Sequence, residues 1–528
     1  MRSYLINGRV FGGCGFDTPE WAEAVLVEEG RVAAVGSLQV CKFASSQVNL
    51  SVCELPHGTL LLPGLCDAHL HLASGGRALK TVNLGGLDVD GVQRVMREAA
   101  RRSVREGGST GWMRGTNWEP ARCKLDAAIL DRVTTARPLF VGSRDGHSCC
   151  CNSAALKLAG ISSSTPDLPG GIIGRSSDGN PNGWLYESAV ELVRAVMPEA
   201  DAAAWRSSIL QAQQHLLSLG LTAVSEVLNP GTEAIYRELD RSGELVLEVD
   251  GWLRIEDWSD GEPPPPDGDR FRLRTIKLFL DGAFGSGTAA LEQPYADAPD
   301  SNGMLLHSDG ELVERLLPVV KAGWRLAMHA IGDRAVAQAC RVLAQLPRAA
   351  SGPHRIEHLQ LLPEDGVQML ARSGAAASVQ PVHLTQDQPW LSTRIGALRC
   401  RRSFIWRSLV DAGVALTLGS DWPVSSADPL QNLHVAVNRR GFGQEPLREF
   451  DPAEALPPCA AIRSATNGWA AAAGVAGRRG CIIPGQTADF TAVMGVSEEL
   501  RDWSGARVVM TICRGRVVFQ RGKGGFIS

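Results

Sequence analysis

The sequence has no run of about 18 consecutive apolar residues, the length a membrane-spanning helix requires. Its opening stretch, "MRSYLINGRVFGG", carries neither the apolar segment nor the small-residue cleavage site of a signal peptide. Both absences lead to the expectation of a cytoplasmic protein with no membrane partner. An excess of one charge is lacking too: 53 Lys plus Arg stand against 57 Asp plus Glu, a formal net charge of -4. Nothing in that balance asks for nucleic acid or an acidic surface. The 13 cysteines are odd in number and show no CxxC spacing, which fits reduced thiols better than a disulfide framework. Histidine is scarce, at 11, and tyrosine scarcer still, at 4 against 13 tryptophans.

What is present is a chain of 528 residues, too long for one compact core. Short β-branched runs separated by glycine open it ("SYLINGRVF", "EAVLVEEGRVAAVG") and a similar texture closes it ("GQTADFTAVMG", "VVMTICRGRVVFQRG"). The two ends are expected to pair into one small β domain, residues 1–58 with 475–528, outside a main body of 59–474. In that body, apolar strand-like runs alternate with helical stretches, the pattern of parallel α/β architecture. The runs are "TLLLPGLCDAHLHL", "LTAVSEV", "LVLEVDGWL", "TIKLFLDG", "WRLAMHAIGD", "HRIEHLQ", "AAASVQPVHL" and "VALTLGSDWPV". Eight is the number a (β/α)8 TIM barrel needs. Between the first and the second lies a segment too long for a βα connection, read as an inserted subdomain over 73–205. Within it, Cys149, Cys150 and Cys151 point in different directions if they lie on a strand or turn, and read as small buried hydrophobes rather than a metal cluster. The Pro-rich, acidic "SDGEPPPPDGD" at 259–269 reads as an exposed loop.

Strand ends at the C-terminal mouth of a barrel converge although they are far apart in sequence. Read in order, they carry His69 and His71, Lys277, His329, His358, His383 and Asp421. A single histidine in an apolar run is ordinarily a hydrogen-bonded core residue. Lys277 between Ile276 and Leu278 is harder to place, because an unpaired buried ammonium costs several kcal/mol or shifts its pKa. Asp421 after "LTLGS" raises the same difficulty with opposite charge. A metal centre resolves these costs together, since neutral imidazoles and carboxylates are what zinc binds. Side chains two apart on a strand point the same way, so His69 and His71 can hold one ion. Asp67 faces the same side one step deeper, either supporting a ligand or packing. Glu357, next to His358, is expected to point away and is left out of the site. Asp333 beyond strand five reads equally as a helix N-cap or a functional residue.

The stretches "PGLCDAHLHL", "KLFLDGAFGSGTAAL", "LAMHAIGDRAV", "RIEHLQ" and "LGSDWPV", in this order, closely resemble the amidohydrolase superfamily. Within it they resemble amidohydrolase family 3, a group that includes N-substituted formamide deformylase. The resemblance extends through "RDGHSCCCNSAALKLAGI" and "GGIIGRSSDGNPNGWLYESAVELV" to "SATNGWAAAAG" and "GCIIPGQTADFTAV", essentially the whole chain. It implies a TIM barrel flanked by a β-sandwich built from both termini, and a binuclear centre of two divalent ions, expected to be zinc. Carried onto this chain, His69, His71 and Asp421 would bind one ion, His329 and His358 the other. Lys277 would be carboxylated and bridge them. Glu187, in "GWLYESA", is a rival acidic ligand or a substrate contact. Relatives are often dimers, which makes a homodimer an open expectation here.

The chemistry so implied is hydrolysis of carbon–nitrogen bonds other than peptide bonds, of amide or N-substituted formamide type, by a metal-bound hydroxide. Asp421 is the expected general base and proton carrier to the leaving nitrogen. His383 is expected to hold the substrate or the developing oxyanion, and His147 in "RDGHS" either contacts substrate or is structural. Trp112, Trp118, Trp184, Trp390 and Trp422 either wall a pocket for a hydrophobic group of a small-molecule substrate or pack in the core. Relatives commonly show a "GWD"-like segment where this chain has "RGTNWEP" at 114–120, and aromatic or aliphatic residues at Cys149–Cys151. The metal set is thus intact while the specificity surface is altered. An ester or lactone hydrolase with the same centre, and a non-catalytic regulatory protein retaining the fold, are the competing readings.

Overall fold

Strands buried on both faces of a parallel sheet read as continuous apolar runs, and the eight runs of the middle of the chain form such a sheet. The computed structural model describes residues 4–14, 19–45, 51–105, 111–120, 123–143, 148–168, 171–198, 201–442 and 450–522. The barrel strands are β1 (Leu65–Leu70), β2 (Leu221–Val227), β3 (Glu248–Arg254), β4 (Phe271–Phe279), β5 (Arg325–Ala330), β6 (Arg355–His358), β7 (Ala376–Val379) and β8 (Leu416–Leu418). Each pairs in parallel with the next, in sequence order. The seam between β8 and β1 is nearly closed by a parallel bridge from Leu70 to Trp422. Two backbone bonds reinforce it, Asp421 N–H to His69 O and His71 N–H to Trp422 O, both at 2.7 Å.

Helices connect the strands. Asp309–Lys321 precedes β5 and starts at a capping box, in which Ser308 Oγ accepts from Glu311 N and Glu311 accepts from Ser308 N. Asp333–Leu343 follows β5, and Asp333 is its first residue rather than its N-cap, which is Gly332. The Asp333 carboxylate accepts from Glu292 N at 2.9 Å and Arg334 N at 3.0 Å, so it ties loop to helix. Residues 259–269 form no helix or strand and are mostly exposed. One expectation fails at strand seven: the strand stops at Val379 and a helix runs Pro381–Ile395. Pro381 at its first turn has φ set for a helix and needs no intrahelical N–H partner, so His383 sits on that helix and not on the strand.

Both ends of the chain meet in a second sheet. Its order is 516–520, 507–513, 490–494, 59–63, 4–14, 19–28 and 31–36, with 51–54 pairing beside 4–14. Ile6, Val25 and Leu61 from the N-terminal strands share a core with Phe490 and Ile512 from the C-terminal ones.

By its internal contacts the chain divides into two units, Met1–Ala73 with Ile209–Ser528, and Ser74–Ser208. The second unit holds its own six-stranded sheet, in the order 171–175, 181–187, 148–151, 139–143, 113–118 and 82–83. Its strand Ser148–Cys151 is buried throughout. Alternation sends Cys150 to a core with Trp118 and Leu130, and Cys149 and Cys151 to one with Leu156 and Val193. No helix among the described residues is long and apolar enough to cross a membrane.

Candidate metal centre

His69 is the fifth residue of β1, fully inside the barrel, and His71 lies just past the strand end with its side chain 29% exposed. Their Nε2 atoms lie 3.6 and 3.2 Å from the same Asp421 oxygen. Asp421 follows β8 in a left-handed backbone conformation, φ 56°, which aspartate tolerates better than most residues. The close approach of β8 to β1 depends on Gly419, where a Cβ would stand 2.6 Å from His69 N. Asp67 supports the same junction. One of its carboxylate oxygens accepts from His69 N at 3.1 Å and Ser420 N at 3.0 Å, and burial pushes its carboxyl up to about 7.

His358 ends β6 and His329 lies on β5, their ring centroids 4.4 Å apart. His358 is 5.0 Å from His69. Among the described residues, His69, His358 and Asp421 form a group able to hold a cation, their ligand atoms within 4.8 Å of one another. Burial, with the Lys277 ammonium adding to it, pushes His69 down to about 4 and His329 to about 3. Burial and its neighbouring imidazoles hold His358 well below its ordinary value. All three are therefore neutral at pH 7, the form that offers a lone pair.

Each ring also has one nitrogen already engaged. His69 Nδ1–H donates to Glu357 Oε2 at 2.7 Å, His358 Nδ1 to Gln380 Oε1 at 2.8 Å, and His329 Nε2 to Gly282 O at 3.0 Å. A hydrogen bond at one nitrogen fixes the tautomer and frees the other for a metal. Glu357 was expected to point away from this site, and the structure corrects that. His358 and Leu359 have φ of 77° and 51°, so the strand's alternation breaks there and Glu357 and His358 both serve the centre. Burial opposes ionisation of Glu357, but Arg355 and His69 outweigh it and hold the carboxyl down at about 2. Arg355 Nε donates to Glu357 at 2.8 Å, and its Nη2 reaches Ala68 O at 2.7 Å and Ser378 Oγ at 2.8 Å.

Lys277 is 1% exposed on β4, and its Nζ has no hydrogen-bond partner among the described residues. Burial pushes it down to about 8, against the pull of Glu357 and Asp421. The neutral imidazoles and the Asp421 carboxylate are a donor set that fits a divalent metal ion, and Lys277 joins it only once its nitrogen has lost the ammonium proton. His383 stacks parallel to His358 at 6.2 Å, and its Nε2 is likewise buried without a partner. Asp421 is held well below the usual carboxylate range: burial opposes this, but His71, His69 and His358 prevail.

His147 lies outside the described residues. Glu187 ends the strand Pro181–Glu187 in the second unit, opposite Gly171. Trp118, offered as a pocket wall, is fully buried in that unit's core against Trp184 at 4.6 Å, its Nε1–H bound to Cys123 O at 2.7 Å. With every face covered it is a core residue. Trp422, 7% exposed, lies beside His215 and accepts the His71 amide.

Sequence reasoning missed Glu226 as well as Arg355. The Glu226 carboxylate, on β2, accepts from Leu72 N, from Ala73 N at 3.2 Å and from Tyr236 Oη–H at 3.1 Å. It thereby pins the chain leaving His71. Both residues carry the signal used for Lys277, a charge inside an apolar strand.

A parallel eight-stranded barrel with imidazoles and a carboxylate gathered at its strand ends is the fold of metal-dependent hydrolases. The chain belongs to the amidohydrolase family, whose model matches residues 57–519. The protein YtcJ of Bacillus subtilis (strain 168) is 30% identical over 492 residues, 90% of this chain and 91% of YtcJ. N-substituted formamide deformylase of Arthrobacter pascens is 27% identical over 498 residues, 89% of each chain. The crystal structure of an uncharacterized metal-dependent hydrolase from Pyrococcus horikoshii OT3 matches at a TM-score of 0.79 and 25% identity, covering 95% of this chain and 99% of that one.

Proposed function

We propose that the protein hydrolyses carbon–nitrogen bonds other than peptide bonds, of amide or N-substituted formamide type, with two divalent ions, zinc, held by His69, His71, His329, His358, Asp421 and a carboxylated Lys277. The observation that carries the metal reading is the orphaned Lys277 Nζ among neutral imidazoles. Carboxylation would convert that ammonium into an anionic oxygen donor and remove the unpaired buried charge. The similarity to N-substituted formamide deformylase supports the bond type.

When bound, divalent ions supply Lewis-acid polarisation of the scissile carbonyl and lower the pKa of water. The protein's own groups do the rest. Asp421, a carboxylate across the physiological range, takes the proton of the attacking water and passes it to the leaving nitrogen. Glu357 and Gln380 hold the His69 and His358 rings with their free nitrogens toward the cluster. His383 Nε2, without a hydrogen-bond partner among the described residues, is available to hydrogen-bond the carbonyl oxygen as charge develops on it.

The test is a panel of N-formyl, N-acyl, carbamate and ester compounds matched in their apolar groups, run on metal-supplemented protein and on Asp421→Asn. Amide or formamide turnover in the wild type, reduced by about 10²–10⁴ in the variant, is expected. Turnover of esters alone would replace the carbon–nitrogen reading, and full activity in Asp421→Asn would remove its role as base.

A further inference from the structure

Phe279 is the last residue of β4, two positions beyond Lys277 and therefore on the same face of the strand. Its ring centroid is 4.9 Å from Lys277 Nζ and 5.1 Å from the His329 ring, at an interplanar angle of 40°. Leu278 and Leu280 on either side are buried, yet Phe279 is 39% exposed. Lone exposed apolar residues are ordinary on protein surfaces. Phe279 differs because, among the described large apolar residues left exposed, it is the one whose ring touches a candidate ligand. The chain beside it is apolar as well. Leu306 N–H donates to Leu280 O at 2.9 Å and Met304 N–H to Thr288 O at 3.3 Å, and Met304 and Leu306 are 51% and 47% exposed.

We propose that Phe279 is a specificity-determining residue of the centre, the exposed part of its side chain receiving a flat apolar group attached next to the scissile bond. The substrates it favours are arylmethyl or aryl amides over short alkyl ones. This rests on the hydrolase reading above and deepens it. A partly exposed aromatic ring gains from an offset or edge-on ring at a centroid separation of about 4.5–7 Å. A substrate carbonyl directed at the His69, His358 and Asp421 cluster brings its adjacent substituent to this rim.

N-Benzyl-N-hydroxyformamide and N-hydroxy-N-methylformamide are hydroxamates that share a metal-chelating head, differ by the ring and carry it on nitrogen as N-benzylformamide does. Calorimetric titration of the metal-supplemented protein with each measures what the ring adds. The wild type is expected to bind the aromatic compound more tightly, and Phe279→Ala to reduce that preference by about tenfold. Phe279→Leu reduces it less. Phe43→Ala, removing a phenylalanine that is 93% exposed on the helix Leu38–Ala44, leaves it unchanged. Equal affinity of the wild type for the two hydroxamates, or a preference retained in Phe279→Ala, overturns the inference. The ratio of kcat/KM for N-benzylformamide over N-methylformamide should fall in parallel. If neither formamide is hydrolysed while the hydroxamate preference collapses in Phe279→Ala, the carbon–nitrogen reading fails and the role of Phe279 stands. If the formamides are hydrolysed and neither ratio moves, the reverse holds.

Discussion

His69 donates from Nδ1 to Glu357 Oε2 at 2.7 Å, and Glu357 is gripped by Arg355, whose Nη2 also reaches Ala68 O beside His69. The imidazole is thus aimed by residues of β1 and β6 together. Glu357→Gln keeps the shape but weakens the acceptor. Metal affinity, measured by competition with a chelator, is expected to fall by about 10–100-fold. Glu357→Ala is expected to be worse, because it strands a buried guanidinium at a cost of about 3–5 kcal/mol. Unchanged metal affinity in Glu357→Gln would mean that His69 is not a ligand.

Gly419 links backbone packing to the same histidine. A Cβ there would stand 2.6 Å from His69 N and 3.2 Å from Asp67 Oδ1, and the first contact is with backbone that cannot rotate away. Gly419→Ala is expected to lower stability by about 1–3 kcal/mol and to lower the metal content of the purified protein with it. A variant with wild-type melting temperature and metal content would show that the β8–β1 seam yields.

Much of this was legible in the chain because burial on both faces leaves a continuous apolar run, and a polar residue at its end then stands out. The barrel strands announced themselves so, from Leu65–Leu70 to Leu416–Leu418, but the first run, "TLLLPGLCDAHLHL", also took in Thr59–Pro63, which is equally apolar and pairs instead in the sheet of the two chain ends. The spacing of His69 and His71 followed from strand alternation. Glu357 was hidden because alternation itself fails at His358, and a left-handed φ leaves no mark on a histidine codon the way it does on glycine. His383 was misplaced by one turn of logic: Pro381 can end a strand or start a helix, and here it starts one. Glu226 and Arg355 were visible as charges in buried strands, but their partners lie on other strands and at helix starts that local pattern does not pair.

Among the described residues Lys277 Nζ has no hydrogen-bond partner, and the proposed carboxylation can be tested through its rescue. Lys277→Ala is expected to lose activity by at least about 10²-fold, the scale of removing one group that stabilises charge in the transition state. Added short-chain carboxylates, filling the space left by the side chain, are expected to restore part of it. Full activity without them would remove the lysine from the centre.

Away from the mouth, Glu248 offers a test of stability against pH. The side chain is 1% exposed and meets Arg479 at 3.0 Å, Arg478 at 2.8 Å and Arg272 at 3.4 Å. Burial alone would raise its carboxyl, but these guanidiniums, Arg479 foremost, hold it below its ordinary value of 4.5. The folded state therefore binds this proton more weakly than the unfolded chain does. Its contribution is complete above about the ordinary carboxylate value and declines as pH falls through the lower folded value. Glu248→Gln is expected to lose about 3–5 kcal/mol at pH 7, since it leaves buried guanidiniums short of a counter-charge. The gap between wild type and variant, read from urea midpoints, should narrow as pH is lowered from 5 toward 3. A gap that stays constant over that range would mean the carboxylate contributes through shape and hydrogen bonding rather than through its charge.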